Sequence, residues 1–202
     1  WHDGNLLKEV AEAIELDGHK VHLPTLKGNQ DGDSKNVGLD DAIDSLISFI
    51  NTNNIEDCIL VGHSYAGMVI TGAFDRLGKK FIKRLVYWNA FVPNPGESLN
   101  DMTPPEYISL FDQIVQKDGS VSLPFPIWRE AFINDGDLEL AQSTYKKLNP
   151  HPYKTFTDQI QLSQTPAEMQ IGKSYIVCQE DIALPASLPW HPRLSQKLGL
   201  YR

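Results

Sequence analysis

The chain has 202 residues, 41% of them hydrophobic and 22% charged, with a formal net charge of -8. That length suits one domain with a sizeable core, and the acidic balance argues against nucleic acid or an anionic membrane surface as the main partner. No apolar run is long enough to span a bilayer, and the two cysteines, Cys58 and Cys178, are too few for a disulfide scaffold.

Leu6, Leu7, Val10, Ala13 and Ile14 recur at helical spacing, with Gly18 as a stop. Lys20-Val21-His22-Leu23-Pro24 reads as a short strand closed by proline, and 28–36 as a polar loop. Ala42, Ile43, Leu46, Ile47 and Ile50 share one face of a second amphipathic helix over 39–51. The apolar run Cys58-Ile59-Leu60-Val61 predicts a strand, and 65–77 a helix. Arg84-Leu85-Val86-Tyr87-Trp88 is another strand, and Ser174-Tyr175-Ile176-Val177-Cys178 a later one. A last helix is expected over 192–198, with Gly199 as its cap.

This alternation predicts an α/β fold, a parallel sheet with helices on both faces. Between Asn94 and Glu168 the rhythm gives way to prolines, aromatics and short helical pieces, the pattern of a cap inserted over the C-terminal edge of the sheet. The expected division is a core in two parts, 1–93 and 169–202, around a cap at 94–168. Both cysteines fall on expected strands and read as buried thiols. With no N-x-[ST] sequon and no signal-peptide pattern at the start, a cytoplasmic location is expected.

Gly62-His63-Ser64-Tyr65-Ala66-Gly67 joins the strand at 58–61 to the helix at 65–77. It is a close variant of the G-x-S-x-G nucleophile elbow, with Ala66 at the second glycine position. Small residues at Gly62, Ala66 and Gly67 allow a sharp turn and close packing of helix on strand. Ser64 is thereby lifted above the sheet, where the free N–H groups of the helix start favour an oxyanion.

Val61-Gly-His-Ser-Tyr-Ala-Gly-Met-Val-Ile70, Tyr87-Trp-Asn-Ala-Phe-Val-Pro93 and Cys178-Gln-Glu-Asp-Ile-Ala-Leu-Pro185 together resemble the α/β-hydrolase branch of plant methylesterases, hydroxynitrile lyases and related bacterial esterases. The resemblance implies an α/β-hydrolase core with a helical cap, Ser64 as nucleophile and the Tyr65 backbone N–H in the oxyanion hole. The branch's [TQ]-E-D-x-x-[IL]-P pattern puts the acid of a catalytic triad at Asp181, with Glu180 as runner-up. Trp1-His2-Asp3-Gly4 looks like the end of the branch's H-G-A-[WC]-H-x-G stretch. On that match a second oxyanion donor is expected before Trp1. The catalytic histidine is expected after a strand starting near Leu200-Tyr201-Arg202, so the chain reads as truncated at both ends.

His63 lies inside the elbow, where such a residue packs or hydrogen-bonds, and His2 falls near the oxyanion loop. Both are expected in the substrate pocket. His19 and His22 share His-x-x-His spacing but sit on a loop and a strand, so no metal site is expected. His151 belongs to the cap and His191 to the surface. Phe111, Phe125 and Trp128 are expected to form the cap side of an apolar pocket.

The resulting expectation is a serine hydrolase that takes a small or medium apolar ester through an acyl-enzyme at Ser64. It needs no cofactor, has no nucleic acid or membrane partner, and allows a homodimer. Two alternatives stand beside it: a hydroxynitrile lyase-type enzyme using the same triad as a base, and a non-catalytic binding protein on the same fold.

Overall fold

The computed structural model describes residues 1–199 and opens with a 3-10 turn, Gly4–Leu7, whose Asn5 N–H is capped by the Asp3 carboxylate. It runs into α1 (Lys8–Leu16), and a long loop then leads to α2 (Leu39–Thr52), β1 (Cys58–Ser64), α3 (Ala66–Leu77) and β2 (Ile82–Ala90). The stretch that follows holds α4 (Pro105–Ile114), β3 (Ser120–Val121), the single turn α5 (Phe125–Ile127), α6 (Leu138–Tyr145), β4 (His151–Pro152) and α7 (Lys154–Thr157). β5 (Gly172–Ile176) returns to the main sheet. The last described element is a 3-10 turn, Ser195–Leu198, closed by Gly199 in the left-handed conformation of a C-cap.

Among the described residues the main sheet has three parallel strands in the order β1-β2-β5, and β3 and β4 pair as a small antiparallel ribbon. Leu60 lies opposite Leu85 and Gly62 opposite Tyr87. Their shared face is buried beneath α3, with α2 packed alongside. The other face presents Ile59 and Val61, 57% and 56% exposed. The stretch between β2 and β5 is tied to α2 by Asp158, whose carboxylate accepts from the Leu39 N–H at 3.0 Å.

α3 sits unusually close to the sheet. A Cβ on Gly62 would lie 2.8 Å from the Ala66 carbonyl oxygen, and one on Gly67 would fall on the carbonyl oxygen of Phe91. Inside the contact, the Thr71 hydroxyl donates to the Gly67 carbonyl at 2.6 Å. Its single proton being spent there, the Tyr87 hydroxyl is the donor in the 2.8 Å bond between them.

Three expectations change. Among the described residues, 20–24 pair with no strand: the Leu23 carbonyl is packed against Gly4, and Pro24 has no N–H to give a ladder. The strand expected at 174–178 runs from 172 to 176, because its partner β2 bends away at Asn89, where φ is +36°. The Cys178 N–H turns instead to the Asn89 side chain, and Cys178 is exposed rather than a buried strand thiol. The helix expected at 192–198 is only the short 3-10 turn.

Gly67→Ala tests the close approach. The added methyl must push backbone apart, so a loss of about 2 kcal/mol is expected in urea unfolding; unchanged stability would show that α3 can shift freely.

Candidate active site

Strand becomes helix within one residue. Ser64 ends β1 with φ +52°, a left-handed conformation that non-glycine residues seldom adopt. The ladder slips at this point: His63 pairs with Trp88 but Ser64 with Ala90. The Ser64 carbonyl accepts from the Phe91 N–H at 3.1 Å, which holds the turn. Tyr65 follows as the N-cap of α3, and the first N–H groups of a helix have no partner within it.

Ser64 opens on a cavity of about 70 Å³, lined also by His2, His63, Trp128, Phe132, Asp181, Ala183 and Trp190. Asp181 arrives on the turn after β5. Its Oδ1 accepts from the Ala183 N–H at 2.8 Å, and its Oδ2 takes a short bond from the Asn89 amide. Glu180, its neighbour, is exposed.

The two cavity histidines stand edge to face, ring centroids 5.7 Å apart, with His63 against Trp88 and His2 against Trp128. Burial pushes the His63 pKa down to about 4 despite the opposing pull of Asp181. Burial likewise pushes His2 well below the usual imidazole range. Both rings are therefore neutral at pH 7.

Of the expected pocket residues, His2, His63 and Trp128 do line this cavity, while Phe111 and Phe125 lie elsewhere. Phe111 packs into an aromatic cluster with Trp1 and Phe156, both at 5.7 Å, and Phe125 packs edge-on against Tyr145. Phe132, another aromatic of the same stretch, and Trp190 complete the apolar side of the lining. Trp128 and Phe132 reach the cavity together because residues 128–132 form a wide turn, closed by the Ile133 N–H on the Trp128 carbonyl at 3.0 Å. No sequence pattern marks such a turn.

Behind the elbow lies His151, 1% exposed, its ring 4.8 Å from that of Tyr65. The Thr155 hydroxyl donates to the Pro152 carbonyl, so His151 Nε2 must donate to Thr155 at 2.7 Å. Nδ1 is then left to accept from the Asn29 amide at 2.8 Å. This buried ring is neutral and bonded at both nitrogens. Composition alone placed it only in the cap. His191 is exposed, with Nδ1 2.6 Å from the Ser195 hydroxyl, and His22 packs on Phe49.

Residues 1–200 match the family model described as the alpha/beta hydrolase family. The chain belongs to that family. This α/β-hydrolase is 42% identical over 107 residues to a carbendazim hydrolyzing esterase of Nocardioides sp. (strain SG-4G), a match covering 52% of this chain and 44% of the relative. It is 28% identical over 142 residues to the alpha/beta hydrolase nvfD of Aspergillus novofumigatus, covering 64% and 54%. The α/β-hydrolase chain thus spans about half the length of the curated relatives it matches.

Among solved structures, an extracellular alpha/beta-hydrolase from a Paenibacillus species superposes with a TM-score of 0.94 at 32% identity, covering 100% of this chain and 84% of that one. That protein is described as sharing structural and functional homology with tobacco salicylic acid binding protein 2. An Arabidopsis methylesterase superposes with a TM-score of 0.73 at 22% identity, over 98% of this chain and 80% of its own. Among the described residues no helix is long and apolar enough to cross a membrane.

The buried histidines of this α/β-hydrolase set a pH dependence. His2, His63 and His151 all have folded-state pKa values below the ordinary 6.5, and burial is the main cause for each. Below about pH 6.5 the unfolded chain binds protons that the folded one refuses, so stability falls as pH drops from there toward 4 and below. Each imidazole contributes a slope of up to about 1.4 kcal/mol per pH unit. Urea unfolding at about pH 7.5, 5.5 and 4.5 checks this, with His63→Phe expected to flatten the curve; a stability independent of pH across that range would contradict it.

Proposed function

We propose that this α/β-hydrolase is a serine carboxylic-ester hydrolase in which Ser64 attacks the acyl carbon of a small apolar ester. The observation that carries the reading is Ser64 in left-handed backbone at a strand–helix turn, facing one cavity with Asp181. Ser64 Oγ bonds to the acyl carbon while its proton passes to a histidine, and the alcohol leaves with that proton. The histidine then takes a proton from water, whose oxygen bonds to the acyl carbon; the bond to Oγ breaks, the carboxylic acid leaves and the proton returns to Ser64. The Tyr65 N–H supplies an oxyanion donor at the start of α3, and Asp181 orients the histidine and stabilises its charged form.

His63 is not the base on this reading. A pKa near 4 lies far below neutrality, and a general base works best when its pKa is near the working pH. The strand expected near Leu200-Tyr201-Arg202, after which the resemblance expects the base, lies outside the described residues.

Relatives named as esterases support the reaction class. The cavity supports a small substrate. Its volume of about 70 Å³ is several times the ~10–15 Å³ that one water requires on the same measure, room for an acyl or alkoxy group of a few heavy atoms. Trp128, Phe132, Ala183 and Trp190 offer such a group apolar surface, whereas an anionic one would lose its hydration and face the Asp181 carboxylate. The two free cysteines fit a reducing, cytoplasmic compartment.

A fluorophosphonate probe followed by intact mass is expected to add once to the wild type, at Ser64, and not to Ser64→Ala. On p-nitrophenyl and methyl esters, Asp181→Asn is expected to lower kcat about 10³–10⁴-fold. Near-normal turnover by Asp181→Asn sinks the acid assignment. A wild type that takes no probe and cleaves no ester returns the chain to the ligand-binding reading, and cyanohydrin cleavage without ester turnover returns it to the lyase reading.

A further inference from the structure

Asn89 stands at the end of β2, 1% exposed, with φ +36°. Asparagine is one of the few residues that tolerate left-handed backbone. The Cys178 backbone nitrogen lies 2.8 Å from one atom of its amide. A backbone N–H can only donate, so that atom is Oδ1, and Nδ2 must be the atom that faces Asp181. There it donates to carboxylate Oδ2, while the Ala183 N–H occupies Oδ1. A carboxylate has about four lone-pair sites, so two donors that fix its plane still leave room for an imidazole N–H. One uncharged side chain therefore ties the end of β2 both to the turn after β5 and to the carboxylate on that turn.

We propose that Asn89 is the positioning residue for Asp181: its amide sets the orientation in which the carboxylate meets the catalytic histidine. The inference rests on the serine-hydrolase reading above. It separates from a purely structural staple because the two halves of the amide do different work. Oδ1 anchors the backbone at Cys178, and Nδ2 alone addresses the carboxylate.

Asn89→Asp divides those roles. It keeps an acceptor for Cys178 and tolerates the backbone, but turns a second oxygen toward Asp181. Two carboxylates in such contact share a proton rather than both ionise. The expected result is a fall in kcat of about 10–100-fold, the scale of a small misplacement at a reacting centre. KM should stay within a few-fold, and the acid limb of kcat/KM should move up by about one pH unit or more. Asn89→Gly is the companion variant. It accepts the backbone without strain and removes both bonds, so kcat falls without that move of the acid limb. Among the described residues, the titratable groups that feel the charge of Asp181 include His63 of β1, Tyr107 of α4 and Tyr175 of β5, and they are the same in every variant.

Folding of each variant is checked by circular dichroism, and Ser64→Ala is run beside them. If Ser64→Ala is inactive and the wild type takes the phosphonate, but Asn89→Asp keeps wild-type kcat and acid limb, the positioning role is overturned and the hydrolase reading stands. If Asn89→Asp cannot fold, an Asn89→Gly variant with wild-type kcat overturns it equally. If Ser64→Ala keeps full turnover, the hydrolase reading falls first and this role falls with it.

Discussion

The close approach of α3 to the ends of β1 and β2 is the constraint from which the site follows. A parallel strand and the helix after it can meet within one residue only if that residue takes a left-handed turn and the points of closest approach carry no Cβ. Ser64 takes the turn, and Gly62 and Gly67 leave the space. Such backbone costs about 1–3 kcal/mol and persists only where its surroundings over-determine it. Here the Phe91 N–H holds the Ser64 carbonyl, and Tyr87, Thr71 and the Gly67 carbonyl form a buried bridge from β2 into α3. The strained turn also brings a serine hydroxyl and the open N–H groups of a helix start to the same place.

The same device recurs one strand over. Asn89, next to last in β2, takes left-handed backbone as Ser64 does at the end of β1, and the ladder between β2 and β5 stops beside it. In an open α/β sheet ligands gather at the carboxyl ends of the strands, because the chain must turn there and loops can be varied without touching the core. Three neighbouring strand ends thus contribute Ser64, Asn89 and Asp181. The parallel register alone brings them together, although they are far apart in sequence.

Much of this was legible beforehand, and the misses have physical reasons. The elbow and the amphipathic α2 are local patterns, and their bounds agree with the structure to within a residue or two. The acid at Asp181 came from a motif, and the cavity does contain that residue. The aromatic residues between β2 and β5 could not be sorted, since Phe111, Phe125 and Phe132 are chemically alike and only the wide turn at 128–132 decides which one faces Ser64. Asn89 carries no charge and belongs to no catalytic pattern, and its use lies in one donor and one acceptor whose partners are distant in sequence. The strand at 172–176 was misplaced by two residues because a strand ends where its partner does, and that partner is distant in sequence.

The charge balance of the cavity joins these pieces. Asp181 is the acid in a lining otherwise made of two neutral imidazoles, three aromatic rings, a serine and an alanine. In such a low-dielectric surround a charge pair interacts far more strongly than in water. An imidazolium formed during acyl transfer would feel the full field of Asp181 only if no other cation competed for it. Were His63 to keep an ordinary pKa near 6.5, it would charge in mild acid and claim part of that field. Burial prevents this by holding His63 near 4. On the proposed mechanism, the desolvation that makes the fold sensitive to acid also keeps the field of the Asp181 carboxylate for the histidine that takes the serine proton.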